Sequence, residues 1–406
     1  KAGPELRGPQ QVMWLKRLDT ERDNVRGAMR WLLGQGESQT VARIGWALWL
    51  FWWMHGHFTE GRRWMEEALA KGSAMTASTR AKALFVAGTM ADGQADRRSA
   101  EPLLEESLML FRELGDKLGS AFALSGVGLV AVGQGHHERG VAFFHEAVDL
   151  FLEIGERWGA SVTLSFLAVG WFGRGDPIRA KRLAEQGLEL ARESGATEGI
   201  CVACHTGAMV AQAEGDHERA RGLLQEGLKL AAEAGNGTNV AYYLEGLAAA
   251  AASESRLERA AGLWGAAEAL LEKIEVAAYI YAPDRSVYQG QVSAARARLD
   301  EAAWQRAWTE GRAMTPERAI EYALSEEVER EAPTLVPLPE QQQPLDPRTQ
   351  ELTTREQEVA LLLGRGLTNR RIALELSISE HTVANHVGKI LKKLGLRSRA
   401  QILSSS

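Results

Sequence analysis

The chain has 406 residues, 45% hydrophobic and 25% charged, enough to bury real cores and, by the usual size of folding units, to form two or three domains. The longest apolar stretch, Ala47 to Met54, is far short of the ~20 residues a membrane-spanning helix needs, no charged, apolar, small-residue leader opens the chain, and Cys201 and Cys204 are too few for a disulfide framework. Together these features predict a cytoplasmic protein without a membrane partner. Lys1 falls inside a helical pattern, which predicts a longer protein with a domain upstream. The net charge of −6 is unevenly placed: residues 351–406 carry nine Lys/Arg against five Asp/Glu, +4, leaving −10 for the rest. An acidic body with a basic end puts phosphate affinity at the C-terminus.

In chain order, residues 1–40 read as an N-terminal helical segment and residues 41–331 as a repeat domain. Trp46, Trp49, Trp52 and Trp53 have three- and four-residue spacings that make them packing for a first repeat rather than a ligand cage. Gly135-His-His-Glu-Arg, Gly175-Asp-Pro-Ile-Arg, Gly215-Asp-His-Glu-Arg and Ser255-Arg-Leu-Glu-Arg open successive units at a spacing of 40; Ala95-Asp-Arg-Arg-Ser and Gly56-His-Phe-Thr-Glu open two earlier ones. Six units fit between about Val41 and Ile274. Leu110, Leu150, Leu190, Leu230 and Leu270 recur as packing positions, and Gly115, Gly155, Gly195 and Gly235 as left-handed helix ends. Pairs such as Leu103/Leu104 and Phe143/Phe144 have helical spacing, and a second helix begins near Leu118, Trp158, Glu198 and Thr238, rich in Ala, Gly and Ser. A hairpin of this kind cannot bury its apolar face alone, so the units stack into a superhelix with a concave groove, open to a small effector, a peptide or a partner protein.

Residues from Tyr279 to Glu331 read as two or three closing helices, one of them opened by Thr315-Pro316-Glu317 as cap, first-turn proline and first-turn acid. Residues 332–350 hold five of the 11 prolines and the Gln341–Gln343 tract, the composition of an extended linker. In residues 351–406, Thr353 and Glu356 form a capping box. A second short helix follows Thr368 and carries Ile372, Ala373 and Leu376 inward; after the turn Ser377-Ile378-Ser379, Ser379 caps a third helix with Val383, Val387, Ile390 and Leu394 inward, ended by Gly395. This is the geometry that lays a recognition helix in the major groove of double-stranded DNA. Its outer face is His381, Ala384, Asn385, Gly388, Lys389 and Lys392. A solvated basic surface helix satisfies the same pattern.

Residues Leu352-Thr-x-Arg-Glu-x-x-Val359, Gly366-Leu-Thr-Asn-x-x-Ile-Ala-x-x-Leu-x-Ile-Ser-x-x-Thr-Val-x-x-His386, Lys393-Leu-Gly395 and Ser398-Arg399 closely resemble the LuxR-type DNA-binding domain. The resemblance implies base reading from the positions of Ala384, Asn385 and Gly388, and adds Thr368, Asn369, Ser379, Thr382 and Lys393 to the DNA-binding candidates. It also implies a homodimer on DNA through the helix near Arg399. With Ala and Gly at two of the three base-reading positions, Asn385 is the main base reader, because an amide pairs bidentately with adenine. The repeats resemble tetratricopeptide repeats, with Ala147, Gly187, Gly227 and Ala267 where that motif packs closely; the period of 40 exceeds the usual 34 of that motif and requires longer helices or loops. Leu18 to Trp31 and Gly56 to Trp64 are similar to the region that follows the nucleotide-binding module of large ATP-dependent regulators of the NB-ARC and maltose-activator plan. The expected fold is therefore all-α: a tetratricopeptide-like superhelix followed by a four-helix LuxR-type helix-turn-helix domain. No phosphate-cradling loop occurs, so no cofactor is expected in this chain and ATP would belong to an upstream part.

Cys201-Val-Ala-Cys-His205 matches the pattern for covalent haem attachment, but at the repeat period the cysteines align with Ala121 and Ser161 and with Leu124 and Leu164, which makes them core filling. His136, His137 and His217 share no ligand spacing, so no metal site is expected. No catalytic constellation is present, and an enzyme is not expected. The expected function is a transcription regulator whose repeats sense an effector or partner and control the DNA-binding domain. The alternatives are a protein-interaction adaptor using the repeat groove and a haem or redox protein resting on Cys201 to His205.

Overall fold

The computed structural model describes residues 2–72, 75–274 and 286–325 and, further on, residues 356, 359, 362, 372 and 380–394. The chain divides into two compact units, residues 1–326 and 327–406, and the described residues are all-α. Residues 332–350 lie outside the described residues.

In the first unit, α1 (Ala2–Glu5), α2 (Gln11–Thr20) and α3 (Arg22–Gly34) precede six helical hairpins. These are α4 (Ser38–Met54) with α5 (Phe58–Lys71), α6 (Ala77–Gly93) with α7 (Arg97–Glu113), α8 (Lys117–Gly133) with α9 (His137–Glu153), α10 (Arg157–Gly173) with α11 (Pro177–Ser194), α12 (Thr197–Glu214) with α13 (His217–Glu233), and α14 (Gly237–Ser253) with α15 (Leu257–Ile274). The period of 40 is accounted for by helix length. Most of these helices have 17 residues, and three-residue turns such as 114–116, 134–136 and 154–156 join them.

The turns from residue 114 to 236 share one feature. A glycine in each has positive φ, at Gly115, Gly135, Gly155, Gly175, Gly195, Gly215 and Gly235; those at Gly195 and Gly215 have two residues where the others have three. The chain then folds back on the preceding helix, as where Asp116 N donates to Phe111 O at 2.9 Å and Gly115 N to Arg112 O at 3.1 Å. The next residue opens the following helix: the carboxylates of Asp96, Asp116, Asp176 and Asp216 accept from the amide three residues on, satisfying one of the donors a helix start leaves open.

The two helices of a hairpin do different work. Helices α8, α10 and α14 each hold a single charged residue and bury most of their length, forming the inner layer; α7, α9, α11 and α13 bury one face and solvate the other. Small residues admit the close approach. A Cβ on Gly227 would overlap the Tyr243 ring, and Ala147 and Ala267 are fully buried. Leu110, Leu150, Leu190, Leu230 and Leu270 are half-buried at the edge of the core, beside the fully buried Phe111, Phe151, Ala191 and Ala231. Along the outer layer, Arg139–Glu105, Arg112–Glu146, Arg219–Glu185 and Arg192–Glu226 pair across neighbouring hairpins at 2.5–3.0 Å. Such exposed pairs contribute about 0–1 kcal/mol each and act mainly on register.

The superhelix is wound more tightly than an open groove requires. Trp49 of the first hairpin reaches Trp158 of the fourth, ring centroids 6.1 Å apart, and a Cβ on Gly56 would stand 3.0 Å from Ile274 Cγ2 at the end of the sixth. Aromatic rings occupy much of the axis. The N-terminal segment crosses this interior: Leu6 is fully buried, Arg7 pairs with Glu156 at 3.0 Å and lies over the Phe122 ring, and the Gln11 side-chain oxygen accepts from the Glu198 amide at 2.7 Å. At the other end α16 (Ser286–Arg296), α17 (Glu301–Arg312) and α18 (Pro316–Leu324) follow. Gly311 lies against Gly262 so closely that a Cβ would overlap its carbonyl. The Arg259 guanidinium donates to the carbonyls of Tyr322, Ala323 and Ser325 at 2.7–3.1 Å, closing the last helix. Thr315 caps α18 as its sequence predicts, its hydroxyl accepting from Arg318 N.

Two turns depart from the glycine rule: Ala95 and Ser255 adopt φ of 61° and 64°. Ala95→Gly and Ser255→Gly should each stabilise the protein, and Gly155→Ala, whose Cβ would meet nothing within 4 Å, should destabilise it, all by about 1 kcal/mol. Shifts in urea midpoint at constant slope measure this; a neutral Gly155→Ala would remove the left-handed turn from the account.

Candidate functional site

In the second unit α19 (Glu380–Leu394) spans the residues between Ser379 and Gly395 that its sequence marks as cap and end. Val383 and Ile390 are fully buried, as are Val359 and Ile372 earlier in the chain; Leu362 is buried and Val387 half-buried. By helical register this leaves 388, 389 and 392 on the other side. Gly388, Lys389 and Lys392 are exposed and Thr382 is half-buried. The backbones of His381, Ala384 and Asn385 lie within α19. Thr368, Asn369 and Ser379 fall outside the described residues, as do Thr353, Ala373 and Leu376.

A Cβ on Gly388 would meet nothing within 4 Å, so its packing does not require glycine. The missing side chain leaves the helix backbone bare at the centre of the outer face, where a ligand surface can approach closely. Lys389 and Lys392 flank this gap with two flexible ammonium groups, suited to phosphate contact.

Lys393 is differently placed. Its Nζ stands 2.6 Å from Glu356 Oε2, a carboxylate only 5% exposed. The pair ties the end of α19 to the segment 37 residues earlier. Glu356 therefore has a side-chain partner that a capping-box reading does not anticipate, and Lys393 carries a structural charge that its place among the DNA-binding candidates did not foresee. Sequence offers little signal for such a long-range pair beyond one acid and one base of opposite sign.

The family model described as bacterial regulatory proteins, luxR family, matches residues 350–405. The chain is 50% identical over 50 residues to the spore germination protein GerE of Bacillus subtilis, a stretch that covers 12% of this chain and 68% of that protein. It belongs to the LuxR family of bacterial regulatory proteins. An HTH-type transcriptional regulator of Mycobacterium bovis is 34% identical over 119 residues, 29% of this chain, and the chain spans only 12% of that relative's length. Among solved structures, a Rap protein complexed with competence and sporulation factor is similar over 67% of this chain and 76% of its own, with 12% identity and a TM-score of 0.47. The TPR-like repeats of a Podosopora anserina kinesin light chain are similar over 48% of this chain and 97% of their own, with 15% identity and a TM-score of 0.37.

Other chemical-looking groups in this LuxR-family chain have structural surroundings. Cys201 and Cys204 are buried in α12, free thiols at 2% and 0% exposure. Burial pushes the Cys204 thiol up to about 12 and the Cys201 thiol well above its ordinary value, so neither supplies a thiolate at neutral pH. The His205 ring lies 6.0 Å from that of Tyr243. His136, His137 and His217 are exposed. Asp19, His55 and His57 do bring one ligand atom each within 4.8 Å of one another, a cluster the sequence reading missed because it joins α2 to the turn after α4. Burial first, and then the charge of Arg22, hold His57 down to about 4. Arg22 and Arg26 pair with neighbouring Glu60 at 2.9 and 2.6 Å, a cationic setting that suits a helix joint better than a metal ion.

If Lys393 holds Glu356 in place, Lys393→Met should lower the stability of the second unit by roughly 1–3 kcal/mol, the partly exposed ammonium reducing the cost of breaking a buried pair. Adding Glu356→Gln should restore much of it. Calorimetry on both single variants and the double variant measures the coupling; a Lys393→Met protein that melts like its parent yet binds DNA more weakly would return Lys393 to the DNA face.

Proposed function

We propose that this chain is a DNA-binding transcription regulator in which α19 enters the major groove as the recognition helix, while the helical-repeat unit senses an effector or partner and controls that contact. The observation that carries the reading is the division of α19 into a buried side, Val383 and Ile390, and an exposed side with Gly388, Lys389 and Lys392, in a segment that matches the LuxR family over residues 350–405. The +4 charge of residues 351–406 supplies the sequence-independent attraction to phosphates. Asn385 reads a base, Gly388 lets the backbone approach, and Lys389 and Lys392 contact phosphate or groove edge. The protein acts in the cytoplasm and binds as a homodimer, so its operator has two related half-sites. The adaptor reading leaves the exposed lysines and the family match without a use.

Base reading and phosphate binding leave different signatures. Asn385→Ala should cost about 1–3 kcal/mol on the preferred site and relax the preference at one base pair. Lys389→Ala should weaken all sequences alike and lower the salt slope by about one unit. Competition binding over a randomised site library reads both; an Asn385→Ala protein that keeps its sequence preference while losing affinity everywhere would show that base reading lies elsewhere.

A further inference from the structure

The interior of the superhelix holds a cavity lined by Trp49, Phe85, Thr89, Phe122, Trp158 and Glu198 among others, enclosing about 70 Å³ and open at a mouth. Its walls are ring edges and faces: Trp49 stands 5.2 Å from Phe85 and 5.7 Å from Phe122, centroid to centroid, both edge-on. Such an arrangement accepts another flat ring by the same offset and edge-to-face geometry.

Three polar groups of this wall bear on its contents, and one, the indole Nε1 of Trp158, is buried without a hydrogen-bond partner. Thr89 is 8% exposed and its hydroxyl oxygen is buried without a hydrogen-bond partner. At the repeat period, Leu129, Val169, Met209 and Ala249 occupy the position of Thr89. Nothing in the hairpin architecture requires a hydroxyl there, and an unpaired buried one is a standing cost that a ligand can relieve. Glu198 is the third, 4% exposed, where Trp158 and Thr238 stand in the neighbouring units. Its Oε2 is fixed by Asn236 Nδ2 at 3.0 Å and Asn239 Nδ2 at 2.7 Å. Among the described lining residues none is Lys, Arg or His, and the nearby Arg7 guanidinium, 5.3 Å from the Phe122 centroid, pairs with Glu156.

We propose that this cavity is a binding site for a small planar apolar molecule carrying one neutral hydrogen-bonding group, of the phenol class, with its ring among Trp49, Phe85 and Phe122 and its hydroxyl on Thr89. An anion is disfavoured, because the Glu198 side chain lines the cavity and Arg7, over the Phe122 ring, is already paired with Glu156. The enclosed volume takes part of one ring and the mouth takes the rest; an enclosed apolar cavity of about 150 Å³ suffices for a whole benzene. A few placed polar groups in a mostly apolar, preformed pocket is the usual construction of a small-molecule site. The site gives a chemistry to the effector of the reading above and rests on that reading only for its consequence, not for its occupancy.

The test uses the full chain and two fluorinated probes followed by fluorine NMR. 4-Fluorophenol should broaden and shift saturably, whereas 4-fluorobenzoate should not. Thr89→Val, which keeps the shape and removes the hydroxyl, should weaken 4-fluorophenol about tenfold, and Val162→Phe, which fills the lining, should abolish its binding while circular dichroism shows the helices intact. Absence of saturable 4-fluorophenol binding, equal binding of the benzoate, or an unchanged affinity in Thr89→Val would each overturn the site. Binding with these signatures but without any change in DNA affinity would uphold the site and overturn effector control, so the two claims fail separately.

Discussion

The left-handed residue in the turns between helices is the constraint on which the rest of the first unit depends. It recurs every 20 residues from Gly115 to Gly235, with Ala95 and Ser255 continuing the series at either side. Because these turns are short and alike, successive helices are set at similar angles, and small repeated rotations accumulate into a superhelix. The Asp and Asn caps that follow the turn set the first residue of the next helix, so helix length is fixed from both ends.

Fixed helix length then decides what the inner layer must be. Helices α8, α10 and α14 are covered on all sides and therefore carry almost no charge, and the outer helices can afford polar faces and cross-hairpin ion pairs. The winding brings the first hairpin to the fourth through Trp49 and Trp158 and to the sixth through Gly56 and Ile274. An interior this narrow is lined by aromatic rings and crossed by the N-terminal segment, whose Arg7 and Gln11 bind the fourth and fifth hairpins. Closure of this kind links distant hairpins directly.

Much of this was legible in the sequence because it is written as periodicity. The six units, the glycine turns and the helix starts near Leu118, Trp158, Glu198 and Thr238 lie within a residue or so of the structure's Lys117, Arg157, Thr197 and Gly237. The buried cysteines followed from register as well. What periodicity could not supply was contact between positions far apart in the chain. The sequence predicts an open groove, but Trp49 against Trp158, Gln11 against the Glu198 amide and Glu356 against Lys393 depend on superhelical winding or on interhelix packing, neither of which has a local signature. Thr89 could have been noticed: it is a hydroxyl in a register otherwise held by Leu129, Val169, Met209 and Ala249. On the recognition helix the buried stripe through Val383 and Ile390 was readable from spacing alone, and the family motif, not spacing, singled out Asn385.

DNA binding by the second unit is expected to rest on the basic, exposed face of α19, in a chain whose net charge is −6. Its most direct measurement is the affinity of the whole protein for duplex DNA as a function of salt. A logarithmic plot should be linear and steep, the slope reporting release of several counterions from phosphates, and one preferred duplex should keep an advantage over random sequence at every salt concentration. A protein with no salt-sensitive affinity for any duplex would contradict it and leave the repeat superhelix as the working part of the molecule.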